Sequence, residues 1–261
     1  MMIWSPAGDG VPHVSVTVPS QTALLSDLRH RIAQGEGFAV ATMNLDHAVK
    51  LRRDPDFLAA YARQTHVTAD GRPVVWLSRC AGVPVDLVTG SDLVDPLMRL
   101  CAEMGVPVGF VGSTDDVLSV AADRLEARHP GLKVVARIAP AMGFDPDGPA
   151  ADAVIEELSR ADVRVCLLAL GAPKQELFAA RILQARPAMG VLSIGAGLDF
   201  VAGTQRRAPR LVRALAAEWV WRLALSPRRL AARYAACIAI LPGLLIRALS
   251  QRRLNRQGRA T

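Results

Sequence analysis

The residues with the clearest chemical potential are Gly171-Ala172-Pro173-Lys174-Gln175-Glu176, which follow the apolar run 163–170. A buried strand that ends at glycine, with proline just before a helix-forming stretch, is typical of a strand-to-helix turn in a parallel sheet. The first amides of such a helix attract anions, and Lys174 and Gln175 would lie beside them. The segment therefore indicates a site for a phosphate or a nucleotide-linked sugar, although an ordinary loop before a helix explains it equally well.

Two further predicted strand ends carry polar side chains, and we expect all three strand ends to converge on one edge of the sheet. Asp70 precedes Gly71 after a short strand, and Thr42 and Asn44 come at the end of the apolar run 38–43. A partly shielded carboxylate can act as a general base toward a sugar hydroxyl, so Asp70 either has that role or caps the next helix. Thr42 and Asn44 could orient a substrate by hydrogen bonds, or they could cap the helix that begins at Asn44.

A glycine-rich segment, Gly195-Ala196-Gly197-Leu198-Asp199, follows the apolar run 190–194. Its glycines permit close approach of the backbone to a ligand, and Asp199 could bind a ribose or sugar hydroxyl. The alternative is a flexible loop with a capping aspartate. The spacing does not match the dinucleotide fingerprint, and the chain has no Walker motif, so neither of those nucleotide-binding classes is indicated.

Two Asp-x-Asp patterns, Asp54-Pro55-Asp56 and Asp145-Pro146-Asp147, match the metal-and-diphosphate motif of many nucleotide-sugar transferases. Each has proline at its centre and falls at a predicted helix start or turn, which favours caps and turns instead. The five histidines and four cysteines show no metal-ligand spacing. We therefore predict no metal site and no cofactor, with reduced cysteines typical of a cytosolic protein.

Predicted strands and helices alternate along the first three quarters of the chain. The expected fold class is α/β, a Rossmann-like, mainly parallel sheet with helices on both faces. Residues 14–18 are predicted as a first short strand, residues 195–203 as a loop, and the remainder as helices only. A change in composition near Thr204 predicts an α/β catalytic domain at 1–204 and a helical appendage at 205–261.

Charge is distributed unevenly: residues 205–261 contain 13 arginines and one acid, a net +12, whereas the remainder carries −5. Such a segment predicts an anionic partner. Its arginines alternate with large apolar residues, which favours an anionic membrane surface over nucleic acid. The longest apolar run, 234–246, contains Pro242-Gly243, and we expect it to be too short to span a bilayer. With no signal-peptide pattern at the N-terminus, a peripheral position on the cytoplasmic face is predicted.

Taken together, these segments resemble the WecG/TagA/CpsF family of glycosyltransferases, from about Val14 to Tyr234. Many separate motifs in one order carry the resemblance: Thr42-Met43-Asn44, Ala69-Asp70-Gly71, Thr89-Gly90-Ser91-Asp92-Leu93, Gly112-Ser113, Gly171-Ala172-Pro173-Lys174-Gln175-Glu176, residues 195–200, Arg207-Ala208-Pro209, Glu218-Trp219 with Trp221-Arg222-Leu223, and Pro227-Arg228-Arg229-Leu230 with Arg233-Tyr234.

The resemblance implies an inverting, metal-independent transfer of a hexose or N-acetylhexosamine from a UDP-sugar. The acceptor would be a saccharide linked to polyprenyl diphosphate, in cell-surface or exopolysaccharide synthesis. Asp70 matches the family's proposed general base. Without a metal, cations and helix amides must stabilise the leaving diphosphate. The predicted substrate-binding residues are Thr42, Asn44, Gly112, Gly171, Lys174, Gln175, Gly195, Asp199, Arg207, Arg213 and Arg222.

Two positions depart from the family pattern: Leu87, where members often carry arginine, and Ser226, where they often carry glutamate. Two other readings stay open. One is a Rossmann-type oxidoreductase or methyltransferase, which the missing glycine fingerprint disfavours. The other is a non-enzymatic basic protein that binds membrane or nucleic acid through its arginines. The sequence leaves the transferred sugar, the acceptor glycan and the oligomeric state undetermined.

Overall fold

A computed structural model of the chain describes residues 2–205, 220, 223 and 227–257. Its centre is one six-stranded sheet whose strands pair only in parallel, in the order β2-β1-β6-β5-β3-β4. The strands are β1 (Phe38–Met43), β2 (His66–Ala69), β3 (Pro107–Gly112), β4 (Lys133–Ile138), β5 (Val165–Ala169) and β6 (Gly190–Ser193). The predicted α/β fold with a parallel sheet is thereby confirmed.

Helices connect and follow the strands. They are α1 (Gln21–Gln34), α2 (Leu45–Lys50), α3 (Pro55–Ala62), α4 (Arg72–Cys80), α5 (Gly90–Met104), α6 (Asp115–Arg128), α7 (Pro149–Arg160), α8 (Lys174–Ala185), α9 (Gly197–Ala202) and α10 (Pro227–Gln257). Several begin at a residue whose side chain accepts a hydrogen bond from a first-turn amide, as Ser20, Asp54 and Thr89 do. Such caps satisfy amides that have no partner within the helix, which is why the helices begin there.

The inner strands are buried on both faces because helices cover both sides of the sheet. Every residue of β1 and β6 is buried, whereas the edge strand β4 alternates between buried and exposed residues. One face packs against α1, α5, α6 and α9, and the other packs against α7 and α8. A third apolar cluster joins the end of β1 to α3, α4 and α10.

The C-terminal helix α10 packs on the α/β body along α2 and α4. Leu244 and Ala248 are buried in the third cluster, and the Gln251 side chain accepts a hydrogen bond from the Ile3 amide at 3.1 Å. Arg233 forms an ion pair with Asp46 at 2.9 Å. One side of α10 is thus fixed to the body of the protein.

Helix α10 runs through Pro242 without interruption. Within the described residues, the Leu230–Arg253 part of this helix has the length and apolar composition that a membrane crossing would require. The prediction of a run too short to span a bilayer counted only residues 234–246. The helix extends beyond both ends of that run, so this prediction is corrected as regards length. The observed packing on α2 and α4 occupies one face of the same helix.

Two other predicted elements differ from the structure. Residues 14–18 form no strand of the sheet. Instead, the amides of Thr17 and Val18 donate to the Val67 carbonyl at 2.9 and 3.2 Å, so this segment runs beside β2 and covers its edge. The predicted loop at 195–203 contains α9, which ends at Gly203 with a φ of 79°. Asp199 lies in the first turn of this helix, so the alternative of a flexible loop is wrong there.

Candidate active site

A cavity of about 350 Å³ lies at the carboxyl edge of the sheet, where β1, β2, β5 and β6 end. We call it the first cavity. Six of the predicted site residues line it: Thr42, Asn44, Asp70, Gly171, Gln175 and Gly195. The sequence prediction that three strand ends converge is therefore confirmed. The reason is that parallel strands present their carboxyl ends at one edge, and β1 pairs with both β2 and β6.

Asp70 is held at the rim of the first cavity by its backbone. Its amide donates to the Met43 carbonyl at 2.7 Å, which extends the pairing of β1 and β2 by one residue. Gly71 follows with a φ of 105° and occupies the N-cap of α4. This left-handed backbone favours glycine and turns the chain sharply after Asp70. The Asp70 side chain therefore comes from a rigid strand end, as a catalytic group requires.

Asn44 and Thr42 line the same cavity from the end of β1. The Asn44 carboxamide oxygen accepts a hydrogen bond from the His47 amide at 3.0 Å, so the predicted capping role of Asn44 is confirmed. The cap uses only the oxygen, which leaves the amino group of Asn44 for a ligand. Thr42 pairs with Thr68 across the β1–β2 ladder and is largely buried.

Gln175 closes the cavity from the first turn of α8. Its Nε2 donates to Glu176 Oε1 at 2.8 Å, and its Oε1 accepts from the Gly195 amide at 3.1 Å. These bonds join α8 to the turn after β6. The loop before α8 contains a cis peptide bond between Ala172 and Pro173.

A cluster of charged residues on the cavity wall escaped the sequence analysis. Asp46 pairs with Lys50 on α2 and with Arg233 on α10, and all three residues line the first cavity. The spacing of Asp46 and Lys50 on one helix is a local signal that could have been found. Arg233 belongs to a motif of the resembled family, but only the docking of α10 brings its guanidinium to this wall.

His47 and Tyr61 form an uncharged pair at this wall. Burial and the nearby charge of Lys50 lower the pKa of His47 to about 3, so its imidazole is neutral at ordinary pH. Burial, together with the charges of Glu176 and Asp70, raises the pKa of Tyr61 well above its usual value. His47 Nδ1 lies 3.2 Å from the Tyr61 hydroxyl, and both rings pack edge-on against Phe57. The pair gives the cavity a rigid, neutral support.

A second cavity, of about 380 Å³, lies farther along the same edge, at the ends of β3, β4 and β5. Gly112 and Lys174 line this second cavity and not the first. Lys174 and Gln175 therefore face different cavities although they are adjacent in sequence. Asp199 lines neither cavity; its Oδ1 lies 3.4 Å from the hydroxyl of Ser113, which lines the second.

The remaining predictions separate into two groups. Arg207, Arg213 and Arg222 lie outside the described residues, as does Ser226. The two Asp-x-Asp patterns are a helix cap and a turn, as predicted. Asp54 Oδ1 accepts from the Phe57 amide at 2.9 Å, and Asp145 Oδ1 accepts from the Asp147 amide at 3.0 Å. Within the described part of the chain, no cluster of three or more histidine, cysteine or acidic residues could hold a metal.

Leu87 is the position where members of the resembled family often carry arginine. Its backbone forms an isolated parallel β-bridge with Ala69, at the end of β2. Its side chain is exposed. The position lies next to the strand end that carries Asp70, on the surface of the protein and not in its core.

The model of the Glycosyl transferase WecG/TagA/CpsF family matches residues 10–258, which include the whole sheet and α10. Two similar proteins are both named N-acetylglucosaminyldiphosphoundecaprenol N-acetyl-beta-D-mannosaminyltransferase. The one from Bacillus subtilis (strain 168) is 25% identical over 222 residues, covering 84% of this chain and 83% of the relative. The one from Bacillus spizizenii (strain ATCC 23059 / NRRL B-14472 / W23) is 25% identical over 199 residues, covering 75% and 74%.

Proposed function

The chain belongs to the WecG/TagA/CpsF family of glycosyltransferases, and from this premise we propose that it transfers a hexose or N-acetylhexosamine from a UDP-sugar to a polyprenyl-diphosphate-linked saccharide, with inversion and without a metal. The observation that carries the proposal is the meeting of Asp70, Thr42, Asn44 and Gln175 at one cavity. The two relatives support the acceptor class, since their names specify an undecaprenol-diphosphate-linked N-acetylglucosamine.

Asp70 is proposed as the general base. As the acceptor hydroxyl attacks the anomeric carbon, Asp70 takes its proton, the new glycosidic bond forms, and the bond from the anomeric carbon to UDP breaks. Inversion in one step requires the attacking oxygen and the leaving oxygen to lie on opposite sides of that carbon. The acceptor would therefore enter on the Asp70 side of the first cavity.

The nucleotide is proposed to lie toward the second cavity, across the turn that begins at Gly171. This direction is supported by the cation of Lys174, by the hydroxyls of Ser113 and Thr114, and by Gly112, all of which line that cavity. The diphosphate would then pass the first turn of α8, whose amides attract anions. Sugar and nucleotide would occupy neighbouring parts of one sheet edge, with the scissile bond between them.

The leaving diphosphate needs positive charge, which we propose comes from α10 and the segment before it. Arg233 lines the first cavity and pairs with Asp46, so a nearby guanidinium is available. Guanidinium groups bind phosphate oxygens in bidentate geometry, which suits a metal-free site. Arg207, Arg213 and Arg222 remain proposed contributors from the same appendage.

The outer face of α10 is proposed to rest on an anionic membrane at its cytoplasmic side. Ile238 and Ile246 are 58% and 70% exposed on this face, and Arg228, Arg252 and Arg253 lie near its two ends. An apolar face flanked by arginines is typical of helices that lie in the membrane interface. Because the opposite face packs on α2 and α4, we propose that α10 lies on the membrane and does not cross it.

Substitution of Asp70 by asparagine tests the chemistry. We expect the rate of transfer to fall by about 10³-fold, since an amide cannot take the proton. Calorimetric titration with UDP should show little change in affinity. The matched control is Asp56→Asn, an exposed residue in the first turn of α3 and part of an Asp-x-Asp pattern, which should retain full activity. Full turnover by the Asp70 variant would remove this residue from the mechanism.

The same transfer assay, run with excess chelator, tests the metal-free proposal. Strict dependence of the transfer rate on Mn²⁺ or Mg²⁺ would contradict it.

The donor is identified by a panel of UDP-sugars with a short polyprenyl-diphosphate-linked N-acetylglucosamine acceptor. UDP-N-acetylmannosamine is the first to try, because the two relatives are named for an N-acetylmannosaminyl group. Salt-sensitive DNA binding without liposome binding would instead support the non-enzymatic alternative.

A further inference from the structure

Glu176 is a fully buried carboxyl group directly behind the first cavity. Among the buried residues of the described chain, it is the only aspartate, glutamate, lysine or arginine. It lies in the first turn of α8, next to Gln175, but it does not line the cavity itself. A buried carboxyl group destabilises the fold unless it has hydrogen-bond partners, so its contacts indicate why the position holds an acid.

The contacts of Glu176 form a chain of hydrogen bonds across the cavity wall. The Gly195 amide donates to Gln175 Oε1 at 3.1 Å, and Gln175 Nε2 donates to Glu176 Oε1 at 2.8 Å. Gln64 Nε2 also donates to the Glu176 carbonyl at 3.2 Å and thereby holds the first turn of α8. Both ends of the Gln175 carboxamide are therefore constrained. Rotation of the amide by half a turn would place its oxygen against a carboxyl oxygen and its NH₂ against an N–H group.

We propose that Glu176 is a positioning residue, which orients the Gln175 carboxamide so that its second Nε2 hydrogen is presented to an acceptor oxygen of the substrate. Nε2 carries two hydrogens, and the bond to Glu176 uses one of them. The identity of the substrate rests on the proposed function above; the hydrogen-bond chain does not. The acceptor oxygen belongs either to the transferred sugar or to the diphosphate, and the measurements below distinguish the two.

The protonation state of Glu176 sets the strength of this contact, because an ionised carboxylate is a stronger acceptor than a neutral carboxyl group. Burial raises the pKa of Glu176 to about 7, against opposing effects of the Gln175 hydrogen bond and the charge of Lys50. The other ionisable groups that face it are Asp46 on α2 and Tyr61 on α3. Gln175 is therefore held most firmly above neutral pH.

Replacement of Glu176 by glutamine tests the role with a side chain of the same shape. At about pH 6, where the carboxyl group is itself largely neutral, kcat/KM of the variant should be within about twofold of the parent. At about pH 8.5 it should be about tenfold lower, because the charge-assisted bond is lost. The control is Glu157→Gln, an exposed acid on α7, with no loss at either pH. An equal loss at both pH values would overturn the proposal.

A double-mutant cycle with Gln175→Ala tests whether Glu176 acts through Gln175. In the Gln175→Ala background, the glutamine substitution at 176 should change kcat/KM by less than about twofold, since the positioned group is gone. Full additivity would overturn the proposal. If Glu176→Gln does not fold, Gln175→Ala alone decides. In the parent, kcat/KM should rise as Glu176 ionises near neutral pH, and in Gln175→Ala this rise should be absent. If Gln175→Ala binds free UDP more weakly than the parent, the contact is with the diphosphate. If its affinity for free UDP is unchanged but its KM for the UDP-sugar is higher, the contact is with the sugar.

NMR of isotope-labelled glutamine side chains gives a readout that requires no activity. The Gln175 carboxamide signals, identified by their loss in Gln175→Ala, should shift with a midpoint near pH 7 in the parent and stay constant in Glu176→Gln. A titrating signal in a protein that transfers no sugar would contradict only the proposed function. Transfer activity with no titration would contradict only the role of Glu176.

Discussion

Three polar side chains beside the first cavity, those of His47, Tyr61 and Glu176, owe their charge states to burial. Burial lowers the pKa of His47 to about 3 and raises the pKa of Glu176 to about 7. It also raises the pKa of Tyr61 well above its usual value. Near neutral pH, His47 and Tyr61 are therefore uncharged and Glu176 is close to the midpoint of its titration. Formal charge at the cavity wall comes instead from Asp70 and from the Asp46, Lys50 and Arg233 cluster.

The raised pKa of Glu176 predicts a pH-dependent contribution to stability. The native carboxyl group keeps its proton up to about pH 7, whereas the unfolded chain loses it near 4.5. The contribution is therefore fully present below pH 4.5 and is lost as the pH rises to about 7, a change on the order of 3 kcal/mol. Urea unfolding of the parent and of Glu176→Gln, at both ends of this range, measures it.

The glutamine variant serves as the reference in that comparison, because it lacks the titration. His47 acts in the opposite direction, since its pKa of about 3 means that stability falls as the pH drops below 6.5. Only the difference between the two proteins isolates Glu176. If the unfolding free energies of the parent and of Glu176→Gln differ by the same amount at every pH in this range, the Glu176 carboxyl group titrates normally in the folded protein.

At the scale of elements, the ends of β3 and β5 approach each other closely beside the second cavity. Gly112 has a φ of 111°, and a Cβ atom there would lie 2.5 Å from the Ala169 carbonyl. Both the backbone conformation and the missing space require glycine. Glycine at 112 is therefore required by the fold, because it lets two strand ends meet where the second cavity opens, and its substrate-binding role stays a prediction.

Gly112→Ala should destabilise the protein by about 3 kcal/mol, because the added methyl group forces the two strands apart. The control is Gly105→Ala, at the end of α5, where φ is 65° and no atom lies within 4 Å of the added carbon. Left-handed strain alone should cost about 1 kcal/mol there. Urea unfolding compares the two variants, and equal losses would show that the contact with Ala169 relaxes freely.

Most helices and strands could be predicted because their ends have local signals. Asp54 and Thr89 cap helices, and glycine ends α1 and α5. Helix α9 was missed because it is only six residues long and starts at glycine. Residues 14–18 were predicted as a strand from their alternation, but their hydrogen bonds are divided between β2 and the N-terminal residues and form only an isolated bridge with Ile3. Short segments lack a local signal strong enough to outweigh tertiary contacts.

At the scale of the whole molecule, α10 is attached to the body on one side and apolar on the other. Leu244 is buried against the third cluster, whereas Ile246, two residues along the helix, is 70% exposed. The helix both supplies Arg233 to the first cavity and presents the proposed membrane surface. A membrane-bound acceptor would thus reach a cavity whose wall is part of the membrane-facing helix.

Replacing both Ile238 and Ile246 by glutamine should lower binding to anionic liposomes by at least about tenfold, since two exposed apolar side chains are lost from the interface. Unfolding by urea should be nearly unchanged. The matched substitution Leu244→Ala should instead destabilise the fold by about 2–4 kcal/mol. Liposome flotation measures the binding, and undiminished flotation of the double variant would exclude this face of α10 as the membrane surface.

The sequence alone determined the parallel sheet and the meeting of Thr42, Asp70 and Gln175, because apolar strands followed by polar turns place those turns at one edge. Only the tertiary structure decided which neighbours share a cavity. Lys174 and Gln175 diverge because successive helical residues point about 100° apart. Arg233 meets Asp46 because α10 buries its apolar side on α2 and α4. Burial and helix docking depend on residues distant in sequence, so no local pattern specifies them.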